Sequence, residues 1–129
     1  QNRKGEYYLT DIVGLLNRAG LPVHAAPTDD YRVSIGINNR WELSEAELWF
    51  SNQHLRALSL ERGITILRPE TVTIEPGAEV GEDCTIHPHV TIRAGVRVGA
   101  HSVVGPGVCL NEGSYPEGCL ILPPEPVVH

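Results

Sequence analysis

The sequence predicts a mixed fold in two parts: an α/β piece over residues 1–63, then a short parallel β-helix over residues 64–129 with a terminal tail. Three observations carry this. Residues 74–115 divide into seven hexapeptides that open on Ile74, Val80, Ile86, Ile92, Val98, Val104 and Leu110. Four places after each opener stands a small or β-branched residue, namely Ala78, Cys84, Val90, Val96, Ser102, Val108 and Ser114. No such period runs through the first half, where helix caps and short apolar runs alternate. A period of six fits neither a helix nor a flat sheet. It fits a solenoid, in which each short strand sends one aliphatic side chain inward before the chain turns, and successive coils cover one another's edges.

The elements follow in order. Thr10 and Asp11 precede the apolar series Ile12, Val13, Leu15 and Leu16, and Gly20 follows it, which predicts a capped amphipathic helix with a glycine stop. Residues 22–26 and 32–37 are rich in Val, Ile and Ala and flank a Pro-Thr-Asp-Asp turn, which predicts two strands. Ser44 and Glu47 form a capping box that opens a helix to Arg62, with Leu48, Leu55 and Leu58 on one side, Trp49 and Phe50 adjoining, and Gly63 at the stop. Residues 64–67 are expected to be an extended connector, with Pro69 leading into the first coil. The register is expected to break at Pro116, and Pro123, Pro124 and Pro126 supply no ladder donors. Solenoid ends need capping, so residues 42–63 or the tail should cover one end, and the flat faces should self-associate.

Sixteen acids against ten bases give a formal charge of −6, with the bases scattered. That balance argues against nucleic acid and against anionic membranes as partners, while leaving anionic small substrates open. No apolar run approaches the roughly 20 residues of a bilayer span, so the reading is a soluble, cytoplasmic protein. Cys84, Cys109 and Cys119 show no CxxC spacing and read as structural thiols, Cys84 on an inward position. Methionine is absent, even at residue 1, so the chain is read as a piece of something longer.

Two stretches carry chemistry-bearing side chains. Residues 4–11 place Glu6, Tyr7, Tyr8 and Thr10 beside a helix start, where backbone N–H groups favour a phosphate or sugar hydroxyl. Residues 36–40 place Asn38, Asn39 and Arg40 directly after an expected strand, and an Asn oxygen can coordinate a hard cation such as Mg²⁺. The plainer reading stays open for each: Thr10 and Asp11 as a cap alone, Asn38 and Asn39 as a turn. Among the histidines, His87, His89 and His101 fall outside the inward positions, and His101 lies one coil after Asp83, so the two should stack. A carboxylate beside an imidazole orients it and favours its protonated form.

The succession GEYYLTD, GINNR, LSEAE and GITILRPETVTIEP, followed by hexapeptides, resembles the bacterial bifunctional N-acetylglucosamine-1-phosphate uridylyltransferase / glucosamine-1-phosphate acetyltransferase from residue 4 to about residue 110. The resemblance implies the end of a pyrophosphorylase domain leading into a left-handed β-helix. It also implies a homotrimer, with UTP, UDP-N-acetylglucosamine and N-acetylglucosamine 1-phosphate as ligands and Mg²⁺ as cofactor. By similarity Asn38 is the metal and phosphate ligand, Tyr8 and Thr10 line the sugar pocket, and Glu6 is the motif's carboxylate. The family's glycine-rich nucleotide loop and metal-binding aspartate precede the matched stretch, and its acetyl-transfer histidine lies many coils further on. The resemblance therefore assigns no catalytic residue here and implies that this chain alone does not turn over. Two alternatives remain: a small trimeric hexapeptide acyltransferase using an interfacial histidine, and a non-catalytic oligomerisation module.

Overall fold

A computed structural model describes residues 4–126. The chain divides into two compact units, residues 1–36 and 37–129.

In the first unit, α1 spans Asp11–Arg18 and buries none of its residues. Thr10 holds the N-cap position in helical geometry without a side-chain bond, and the neighbouring Asp11 carboxylate instead accepts the Tyr8 N–H at 3.3 Å. The helix ends as expected, at Ala19 and the left-handed Gly20. The two expected strands do not form. Residues 22–26 are irregular, and Tyr31–Ser34 winds into a 3₁₀ turn. The cause is local: Asp30 accepts the Arg32 N–H at 3.1 Å and grips its guanidinium at 2.7 Å, and a side chain that bonds the following backbone competes with extended pairing. No strand is described in this unit, so an extended segment here has no ladder to join.

The second unit opens with α2, Arg40–Arg62, which stops at Gly63 in the left-handed region, its N–H returning to the Ser59 carbonyl. Ten two-residue strands follow: β1 (Thr65–Ile66), β2 (Thr73–Ile74), β3 (Glu79–Val80), β4 (Thr85–Ile86), β5 (Thr91–Ile92), β6 (Arg97–Val98), β7 (Val103–Val104), β8 (Cys109–Leu110), β9 (Ser114–Tyr115) and β10 (Leu120–Ile121). They pair in parallel into three sheets, β1-β4-β7-β10, β2-β5-β8 and β3-β6-β9. This is the expected solenoid, of about three turns. All seven predicted openers are buried, as are Cys84, Val90, Val96, Ser102 and Val108. Each aliphatic side chain removed from water in this way contributes about 1.5–3 kcal/mol before the entropy of ordering is subtracted.

The register departs from the prediction at both ends. Residues 64–67 are no mere connector, because β1 pairs with β4 as the first strand of the longest sheet. A 3₁₀ turn at Pro69–Thr71 adds two residues to that first coil. In the middle, partners stand eighteen residues apart, as in Thr73 with Thr91 and Thr91 with Cys109. In the last coil they stand seventeen apart: Tyr115 stacks on Val98 and Ile121 on Val104. One residue is missing between Leu110 and Tyr115, so Ser114 is exposed and Tyr115 takes the opener's place. The coil then runs through Pro116 to Ile121 instead of breaking there.

The corners share one conformation. The third residue after each opener is left-handed, and Asp83, His89 and His101 adopt it where the equivalent sites hold Gly77, Gly95 and Gly107. Asp and His are among the side chains that tolerate this region best. Helix α2 packs against β1, β2 and the 3₁₀ turn through Leu55 and Leu58, and so caps the first coil as expected. Arg62 fastens that cap, donating to the Val80 carbonyl at 3.2 Å while its own carbonyl accepts the Asp83 N–H. Helix α2 belongs to the same compact unit as the coils it covers.

Candidate functional site

Helix α2 begins four residues before the expected capping box. Asn39, in extended geometry, caps it by accepting the Glu42 N–H at 2.9 Å. Glu42 reciprocates one residue further out, its Oε2 accepting the Asn38 N–H at 2.7 Å and the Asn38 Nδ2 at 3.2 Å. Ser44 lies inside the helix and returns its hydroxyl to the Arg40 carbonyl. Asn39-Arg40-Trp41-Glu42 obeys the same three-residue spacing as the box at Ser44, and Asn ranks with the best N-caps, so the signal was in the sequence.

This arrangement fixes Asn38. Its amide nitrogen is committed to Glu42, and its Oδ1 accepts no hydrogen bond among the described residues. The nearby Glu42 carboxylate disfavours an anion approaching that oxygen directly and favours a cation. One oxygen is a single ligand, whereas Mg²⁺ takes roughly six, usually several from water and phosphate. Among the described residues no group of three or more His, Cys, Asp and Glu is placed to hold a metal ion. Asn38 therefore fits as an accessory ligand and not as the core of a metal site.

Glu6, Tyr8 and Thr10 are exposed members of the first unit, and Asn38 is an exposed member of the second. Tyr8 and Thr10 lie in the turn that leads into α1.

His101 stacks over Asp83 as its one-coil spacing predicts, with Nδ1 at 3.8 Å from the carboxylate. Glu117 approaches the other side, at 3.9 Å from Nε2. These are ion-pair separations and not hydrogen bonds. Glu117 escapes a count by coils because it stands one place before Gly118, which takes the corner over His101 in the shortened last coil. His89, at the corner after β4, is exposed and left-handed, its N–H donating to the Thr71 hydroxyl at 3.0 Å. No helix among the described residues is long and apolar enough to cross a membrane.

Residues 77–112 match the bacterial transferase hexapeptide family (six repeats). The chain is 40% identical over 104 residues to the bifunctional protein GlmU of Solibacter usitatus, 81% of this chain and 22% of that protein. It is 35% identical over 120 residues to that of Brevibacillus brevis (93% and 26%) and 36% identical over 122 residues to that of Hyphomonas neptunium (95% and 26%). The chain thus spans about a quarter of the length of these relatives. Its coils thus match the bacterial transferase hexapeptide family, and nearly its whole length is similar to one stretch of the bifunctional GlmU proteins.

Proposed function

We propose that this chain is the junction of a sugar-1-phosphate uridylyltransferase: an edge of the sugar-nucleotide site joined through α2 to a solenoid that assembles protomers. The reaction is UTP with N-acetylglucosamine 1-phosphate giving UDP-N-acetylglucosamine and diphosphate. The observation that carries this reading is the Asn38 turn, held at the head of α2 by Glu42 with its amide oxygen uncommitted. In this reading Asn38 supplies one oxygen to Mg²⁺, and Glu6, Tyr8 and Thr10 supply polar contacts to the sugar. Bound there, the cation would neutralise charge on the phosphates. Transfer of this kind depends on positioning and electrostatics, and one amide oxygen supplies neither in full, so the 129 residues by themselves do not turn over.

The solenoid is proposed to form a homotrimer through the sheet β1-β4-β7-β10. Its outer face carries Thr85, Val103, Leu120 and Leu122, the two leucines more than half exposed. The other two sheets present ion pairs instead, Arg93 with Glu75 at 2.7 Å and Arg97 with Glu79 at 3.2 Å. A face free of such charges is the cheapest to desolvate.

Sedimentation and binding test both halves. The chain is expected to sediment as a trimer, and Leu120→Glu as a monomer. UDP-N-acetylglucosamine with Mg²⁺ should shift the Asn38 amide resonances, and diphosphate release should be absent. A monomeric wild type refutes the assembly, and Asn38 resonances that ignore the ligand refute the site.

A second reading rests on His101 between Asp83 and Glu117, two carboxylates able to orient an imidazole as an acyl-transfer base. Acetyl transfer to glucosamine 1-phosphate that disappears in His101→Ala would favour it over the first.

A further inference from the structure

We propose that Glu42 is a positioning residue, which sets the Asn38 side-chain amide so that its oxygen is the end offered to a bound cation; this rests on the sugar-nucleotide reading of the Asn38 turn. Glu42 stands in the first turn of α2, three residues after the Asn39 cap that accepts its N–H at 2.9 Å. In a capping box the carboxylate at this place returns to the backbone N–H of the cap residue itself. Glu42 instead reaches past the cap to Asn38. Its Oε2 accepts the Asn38 N–H at 2.7 Å and the Asn38 Nδ2 at 3.2 Å. The first of these bonds belongs to ordinary helix capping. The second contributes nothing to the helix, because it holds only the side chain of a residue outside it.

An asparagine amide is a two-fold rotor, with an oxygen that only accepts at one end and an NH₂ that only donates at the other. Turned over, it would set Oδ1 against the Glu42 carboxylate, acceptor against acceptor, and leave the NH₂ for the ligand. A cation cannot use that end. A hydrogen bond to an ionised group is about twice as strong as one between neutral groups, so the carboxylate is well suited to decide between the two orientations. It is also placed to do so steadily, since Glu42 is partly buried while Asn38 is exposed. Outer-shell partners orient metal ligands in this way, and their loss typically weakens the metal by about 10–100-fold.

The test is NMR on the ¹⁵N-labelled full chain, reading the Asn38 side-chain amide pair alone and during titration with UDP-N-acetylglucosamine and Mg²⁺. Glu42→Ala removes the acceptor, Glu42→Asp keeps the charge but falls one methylene short, and Glu42→Gln keeps an acceptor at the same reach. All three leave the Asn39 cap, and the Leu43 N–H bond to the Asn39 carbonyl reports that the helix start is intact. Glu42→Ala and Glu42→Asp are expected to move the Asn38 side-chain resonances in the free chain and to weaken the ligand about tenfold, and Glu42→Gln to recover most of both. The aspartate keeps the comparison decisive even if the alanine variant frays the helix. Asn38 side-chain resonances unmoved by Glu42→Asp refute the pinning. Undiminished affinity in that variant overturns the positioning role and leaves the sugar-nucleotide reading standing, whereas a wild-type chain that ignores the ligand overturns both.

Discussion

Removing the Ser102 hydroxyl should loosen the last coil selectively. Ser102 is the buried polar residue of the core, 0% exposed. Its Oγ donates to the Pro116 carbonyl and accepts the Cys119 N–H, both at 3.2 Å. Elsewhere the corresponding turn closes on itself, as when the Val96 N–H bonds the Arg93 carbonyl at 3.2 Å. At Cys119 the hydroxyl from the coil below stands between the two backbone groups. Ser102→Ala adds no strain and almost no void, but it strands a buried N–H and a carbonyl. An unsatisfied buried group costs about 1–3 kcal/mol. Pro116 is exposed and can turn to water, so the loss should rest on the Cys119 N–H and come to about 1–2 kcal/mol. Ser102→Cys should lose less, because one coil earlier the Cys84 thiol makes the equivalent bond to the Gly99 carbonyl at 3.2 Å. Amide hydrogen exchange at Cys119 and Val103 is the assay, and a loss of ~1.4 kcal/mol reads as tenfold faster exchange. If Ser102→Ala exchanges at these amides as slowly as wild type, the hydroxyl is not the closing group and the reasoning fails.

Gly99→Ala should destabilise more than Gly95→Ala. A Cβ at Gly99 would stand 2.4 Å from the Glu117 nitrogen, and such overpacking against backbone costs about 1–3 kcal/mol or more. At Gly95 the space is open and only the left-handed backbone opposes a side chain, at about 1–2 kcal/mol, so a reversed order of urea midpoints would refute the close-approach argument. Glu75 accepts the Ala94 N–H and pairs with Arg93, which together hold its carboxyl below the usual range. A depressed folded-state value contributes stability above the unfolded pKa, and that contribution disappears as pH falls through the folded one. Glu75→Gln should therefore lower the melting temperature at pH 7 and converge with wild type in acid, and a gap independent of pH would contradict this. Burial pushes the Cys84 thiol up, so a maleimide should modify Cys109 first and Cys84 only on unfolding, as mass spectrometry of partly labelled protein would show.

The coils were legible because a buried aliphatic every six residues is a demand of the stack itself, and all seven openers meet it. What counting could not reveal was where the period slips. A five-residue step from Leu110 to Tyr115 looks like the end of a repeat, yet Tyr115 is large enough to fill the opener's place from one residue early, and Ile121 resumes the column. The start of α2 was legible in principle, since two boxes competed and the earlier one, at Asn39 and Glu42, captured the helix. The two strands of the first unit failed for a different reason. Apolar content predicts a strand only when a neighbouring ladder exists, and Asp30 settles the local contest in favour of a turn.

The same contrast separates the candidate sites. A residue's place in a repeating stack follows from spacing alone, and the eighteen-residue step from Asp83 sets His101 over it. The uncommitted oxygen of Asn38 depends on which neighbour claims its amide nitrogen, and a helix starting at Ser44 would leave Glu42 outside the first turn. Once Asn39 takes the cap, Glu42 falls in the first turn and seizes the Asn38 amide.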